Sequence, residues 1–143
     1  MTKSDKSKHN ICVASIKRST MKPYDFRWTK FYESNLEFQD TNPNLQPDWA
    51  EHELIICSTV IDDNNYSILT TQRLITKEKG LENTGSLVGA TDKLYGDFKG
   101  YKDELFTFGQ VQLHNGSDLK YFIETGKASM IMIHGVRTII QTQ

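Results

Sequence analysis

Apolar residues change their spacing several times along the chain, and each change marks an element. Residues 1–10 are polar and charged and read as a mobile terminus. Residues 11–16 (ICVASI) are apolar and short enough for a strand. Tyr24, Phe26 and Trp28 alternate at period two, the spacing of a strand with an aromatic face. Residues 39–50 hold Pro43 and Pro47 among turn-forming polar residues and read as a loop. That loop is the expected seam between an N-terminal extension (11–50) packing on the domain and a main domain (51–143).

From residue 51 the pattern is that of strands. Residues 53–61 are β-branched and apolar on both faces, as in a buried strand. Asp62-Asp63-Asn64-Asn65 reads as a hairpin loop, followed by strands at 66–71 and 74–78. Five of the nine glycines fall within residues 80–103, which predicts short twisted strands and tight bends. In residues 106–113 the apolar phase switches, with Phe106 and Phe108 facing one way and Val111 and Leu113 the other; a bulge or sharp coil near Gly109 would reconcile them. Asn115-Gly116 is a hairpin turn signal, after which Leu119, Tyr121 and Ile123 alternate with Lys120 and Glu124. Ala128, Ile131, Met132, Gly135, Val136 and Ile139 then form an apolar stripe at helical spacing, with Thr125 as a usable N-cap. A second apolar line on that helix, Met130, Ile133 and Ile140, is either covered by residues 11–36, the favoured expectation, or is a partner surface.

About seven short antiparallel strands closed by one C-terminal helix define an α+β fold that is mostly β. This order resembles the bacterial pleckstrin-homology-like (PH-like) domains. The residues that carry the resemblance are Ser67-Ile68-Leu69-Thr70-Thr71-Gln72-Arg73-Leu74-Ile75, and it covers about residues 51–141. It implies a strongly bent antiparallel sheet or partly open barrel with the helix capping its open end. Phosphoinositide-binding members carry basic residues around the first hairpin loop and a Trp in the helix. Here the loop is acidic and the helix has no Trp, so phosphoinositide binding is not expected.

Composition narrows the functional classes. The chain has 143 residues, 37% hydrophobic and 24% charged, which fits one soluble domain. No apolar run approaches the ~20 residues of a membrane span, and no signal-peptide h-region opens the sequence. With only Cys12 and Cys57, a disulfide framework is not expected and a reducing cytoplasm is. The four histidines are scattered and no CxxC occurs, so neither metal nor cofactor is expected. No acid, base and pocket assemble in the pattern, and an enzyme is not expected.

The net charge of -1 hides an asymmetry: residues 1–30 sum to +6, residues 31–72 have no Lys or Arg and sum to -8, and residues 73–143 sum to +1. A basic head before an acidic stretch fits a segment that docks on its own domain, or two surfaces for charged partners. Lys22, Arg27 and Lys30 among the aromatics also fit single-stranded nucleic acid, but aromatics are more often core and no nucleic acid is expected. The expected function is a non-catalytic, protein-binding module. The alternative is an immunity or antitoxin protein that meets a basic toxin through an acidic surface. The candidate partner residues are Asp62, Asp63, Glu51 and Glu53 in the acidic stretch, with Met130, Ile133 and Ile140 on the helix.

Overall fold

A computed structural model describes residues 3–142. The chain opens with a helix, α1 (Asp5–Ser19), where a mobile terminus and a strand were expected. Ser4 caps it by accepting the Ser7 N–H at 3.1 Å, Asp5 lies in the first turn and Lys17 and Arg18 in the last, each charge matching the helix dipole. Its buried positions are Lys8, His9, Cys12, Val13 and Ile16, a helical repeat whose first members are polar. His9 donates Nε2–H to the Tyr32 carbonyl at 2.9 Å, so its burial leaves that nitrogen satisfied.

After α1 the chain is irregular until β1 (Thr29–Phe31), and only this short piece of the expected aromatic strand is regular. Helix α2 (Asn35–Thr41) follows, and its last turn occupies the start of the expected loop 39–50. Ser34 accepts the Glu37 N–H at 3.2 Å while Glu37 reaches back to the Glu33 N–H at 3.0 Å. Ser34 is thus the N-cap, announced by the S-x-x-E spacing of Ser34 to Glu37, and the glutamate holds the N–H one residue before the cap.

Strands β2 (Ile55–Asp62), β3 (Asn65–Thr70), β4 (Leu74–Glu78) and β5 (Leu81–Gly85) run as an antiparallel meander, with β1 added beside β2. A register break between Ile55 and Cys57 gives β2 one extra residue, and both Ile56 and Cys57 join the main core. The second sheet is β6 (Thr91–Tyr95), β7 (Phe106–Gln112) and β8 (Asp118–Glu124). A short 3-10 turn (Gly126–Ala128) leads into α3 (Ser129–Thr142). The fold is therefore α+β and mostly sheet. Among the described residues there are eight strands in two sheets, neither closed nor strongly curled where a bent sheet or partly open barrel was expected; the expected C-terminal helix is present, and two further α-helices lie in the N-terminal part.

The first sheet buries both faces over β2, β3 and the start of β4, while β5 is largely exposed. Its inner face packs on α1, α3 and β8 around Cys57, Leu69, Tyr121, Ile131 and Val136. The outer face is covered by α2 and residues 42–50 around Tyr32, Phe38, Leu45, Ile55 and Ile68. β8 is tied across the first sheet by the Phe122 N–H, which donates to Ser67 Oγ at 2.8 Å.

All six residues of the expected α3 stripe are buried. Helix α1 packs along α3, with Ser15 and Thr138 hydroxyls 3.0 Å apart. Ile133 of the second apolar line is 3% exposed and is no surface residue; Met130 and Ile140 are half-buried against the same core. The expected bulge at Gly109 is absent: β7 pairs with β8 without a break, and the irregularity lies on β6 between Asp92 and Leu94. The phase switch is real because β7 uses both faces. Phe106 and Phe108 meet Phe122 on one side, and Val111 joins the core on the other. Gly109 sits on the core side because a Cβ there would overlap the Tyr121 ring.

Candidate binding cleft

Four consecutive residues at the β3–β4 turn tie the N-terminal part of the chain to the sheet. Arg73 donates Nε–H to Glu53 Oε2 at 2.9 Å and Nη2–H to Glu53 Oε1 at 3.2 Å and to the Asp48 carbonyl at 2.8 Å. The Thr70 hydroxyl donates to Glu53 Oε2 at 2.6 Å, and the Thr71 hydroxyl donates to Asp5 Oδ1 at 2.5 Å. Gln72 Nε2 donates to the Glu51 carbonyl at 3.0 Å. Glu53 thus has a side chain with no exposure, held by Arg73, Thr70 and the Ala50 N–H. Burial acts to raise its carboxyl pKa, but the hydrogen bonds from Arg73, Thr70 and Ala50 outweigh it and hold the group below the usual carboxylate range. Glu53 is therefore a structural anion and not the exposed partner residue that the acidic stretch suggested.

Beside this staple a cleft of about 450 Å3 opens on the outer face of β3–β5. Its floor is Tyr66, Ile68 and Ile75, whose side chains alternate outward at period two. One wall is the loop 44–48, and another is the β2–β3 hairpin tip at Asp63 and Asn64. The third is the cross-strand pair of Lys77 and Glu82. Tyr66 donates its hydroxyl to Glu82 Oε1 at 3.1 Å, and the Lys77 ammonium lies 5.9 Å from the Tyr66 ring centre. Burial, then the Glu82 carboxylate beside it, pushes the Tyr66 hydroxyl pKa up to about 12, so it stays a donor.

Three carboxylates line the cleft, Asp48, Asp63 and Glu82, against two cations, Arg73 and Lys77. Arg73 is already neutralised by Glu53, which leaves an excess of negative charge over an apolar floor. No base of the head belongs to the cleft lining. Lys17 pairs with Glu33 at 3.3 Å and Lys30 with Glu37 at 3.6 Å, so part of the head docks on the start of the acidic stretch.

The other expected site residues fall in different places. Asp62 is exposed but employed: its Oδ1 accepts the Asn64 N–H at 2.8 Å and Asn65 Nδ2–H at 3.0 Å, which fixes the hairpin turn. Glu51 is exposed, 3.4 Å from His52, and is not part of the cleft lining. Met130, Ile133 and Ile140 lie on α3 and take no part in the cleft. Of the expected residues the cleft brings in only Asp63. Asp48 and Glu82 were overlooked, although the alternation in β3 and β4 carried to its neighbour in the meander would have pointed Glu82 to the face of Tyr66 and Lys77. Among the described residues no three His, Cys, Asp or Glu side chains group as a metal site. No helix among them is long and apolar enough to cross a membrane. Compared with protein-family models, with curated proteins and with solved structures, the chain has no significant match.

Proposed function

We propose that the chain is a non-catalytic binding module, that its scaffold is PH-like, and that the cleft over β3–β5 takes a basic side chain from a protein partner. The observation that carries this is the convergence of Asp48, Asp63 and Glu82 on an apolar floor. An apolar floor with a few convergent polar groups is the usual form of a binding site. A lysine or arginine stem would cover Ile68 and Ile75 while its head meets the carboxylates. The scaffold reading is supported by the order of Ile55–Thr142: a meander of four strands, a meander of three, and a closing helix. A basic toxin neutralised by this chain is one member of the same partner class.

The test starts from the partner recovered with the purified chain as bait. Its association is then measured with a variant carrying Asp48→Asn, Asp63→Asn and Glu82→Gln. Among the described residues none of the three carboxylates has an ion pair, so the melt should stay close to the parent's. The expected result is association slowed about tenfold at low salt, with the difference shrinking as salt screens it. An unchanged association rate at low salt overturns the cleft as the contact surface.

A further inference from the structure

The second sheet carries a surface independent of the cleft. Trp28, Leu105, Phe106 and Phe108 line an open groove of about 400 Å3 on its outer side. Leu105 is 58% exposed and Phe106 36%, so the apolar lining faces solvent. The groove is rigidly built. Glu124 accepts the Arg27 and Trp28 N–H groups at 3.1 and 2.8 Å, which fastens this segment beside Phe106, the residue paired with Glu124 in the sheet. Trp28 meets Phe106 edge to face at 6.2 Å, and Phe106 meets Phe108 at 5.9 Å.

Three charges border this lining; one of them, Lys120, lies 4.6 Å from the Phe108 ring centre but is paired with Glu78 at 3.1 Å, and the other two are of opposite sign. On the Trp28 wall the Arg27 guanidinium lies 4.7 Å from the indole centre. On the wall that leads into β7 stands Glu104, exposed and part of the lining. Neither forms an ion pair among the described residues. A surface with an apolar centre, one unpaired cation and one unpaired anion is complementary to itself. In a two-fold pairing each residue i meets j and each j meets i, so a single kind of contact is made twice. A polyanion, whether nucleic acid or an anionic membrane, would gain Arg27 but be repelled by Glu104.

We propose that the occupant of this groove is a second copy of the chain, paired about a two-fold axis so that Arg27 of each protomer faces Glu104 of the other. The pairing closes on itself and leaves the cleft over β3–β5 free on each protomer.

Two single variants and their mixture test it. Light scattering of the parent at about 100 µM, where a micromolar Kd leaves most chains paired, should read twice 16.4 kDa. Arg27→Glu alone puts carboxylate against carboxylate, and Glu104→Arg alone puts cation against cation. Each should raise the dimer Kd at least about tenfold, because the repulsive contact occurs twice. Mixed in equal amounts, the two variants have matched charges in both contacts and should form a heterodimer of near-parental affinity. Leu105→Glu, at an exposed position, should also dissociate the dimer while its circular dichroism stays native. A monomeric parent at that concentration overturns the proposal. So does a mixture that stays monomeric, or a parent that is monomeric in solution but sediments with vesicles of mixed anionic and zwitterionic lipid.

Discussion

Arg73→Ala tests how the N-terminal half is held to the sheet. The substitution leaves the Glu53 carboxylate in a site with no exposure, where it keeps Thr70 at 2.6 Å and Ala50 N–H at 2.9 Å but loses both guanidinium bonds. Removing one member of a buried ion pair costs roughly 3–5 kcal/mol. The Arg73 side chain is 27% exposed and two donors remain on the carboxylate, so the expected loss is about 2–4 kcal/mol. For a chain of this length that lowers Tm by about 6–12 °C. The pH dependence separates this mechanism from simple loss of packing. In the parent the folded pKa of Glu53 lies below its unfolded value of 4.5, so its contribution is present at neutral pH and is lost as pH falls through the folded pKa. Without Arg73 burial becomes the dominant influence and raises the folded pKa above the unfolded one. The variant then recovers stability as pH falls and Glu53 takes up a proton. The stability gap between parent and variant is therefore widest near pH 7 and narrows toward about pH 4. Urea melts of both proteins across this range measure it. A gap below about 1 kcal/mol at pH 7, or one constant over the range, would refute the reasoning.

Asp62→Ala should cost about 0.5–2 kcal/mol, because it removes the acceptor of two hairpin-turn bonds, while Asp63→Ala should leave the melt unchanged; equal melts for the two variants would show that the turn does not depend on Asp62. Gly135→Ala places a methyl 2.9 Å from Cys57 Sγ and 3.0 Å from Leu69, so a net loss of about 1 kcal/mol is expected despite the gain in helix propensity, and a higher Tm would contradict the close approach of α3 to the sheet. Ile131→Asp or Val136→Asp puts an unpaired carboxylate at a position with no exposure and should abolish the cooperative melt; a melt like the parent's would refute the packing of α3. Cys12 and Cys57 are buried, and burial pushes the Cys12 thiol up to about 12 and the Cys57 thiol well above its usual range, so neither should be alkylated at pH 8 before denaturant is added; mass spectrometry of the native protein reads this.

The elements that could be read from the chain are those whose signal is local. The β2–β3 hairpin announces itself by apolar, β-branched runs on either side of Asp62-Asp63-Asn64-Asn65, and α3 by six apolar residues at helical spacing. Helix α1 was hidden because its inward stripe begins with Lys8 and His9, and what permits a histidine there is the Tyr32 carbonyl, a partner 23 residues away. The same distinction governs the acidic stretch. Glu53 and Asp63 lie ten residues apart in a run without a single base, and by type alone they are equivalent. Glu53 is buried because Arg73, the first base after that run, folds back onto it; Asp63 stays in the open because the hairpin turn uses Asp62 and leaves its neighbour idle. Thr70-Thr71-Gln72-Arg73, the stretch at the centre of the family resemblance, spends its side chains on Glu53, Asp5 and the Glu51 carbonyl. Its spacing is therefore explained by chain docking. Asp48, Asp63 and Glu82, the acids along the cleft that this staple does not engage, are the groups proposed to meet a basic side chain.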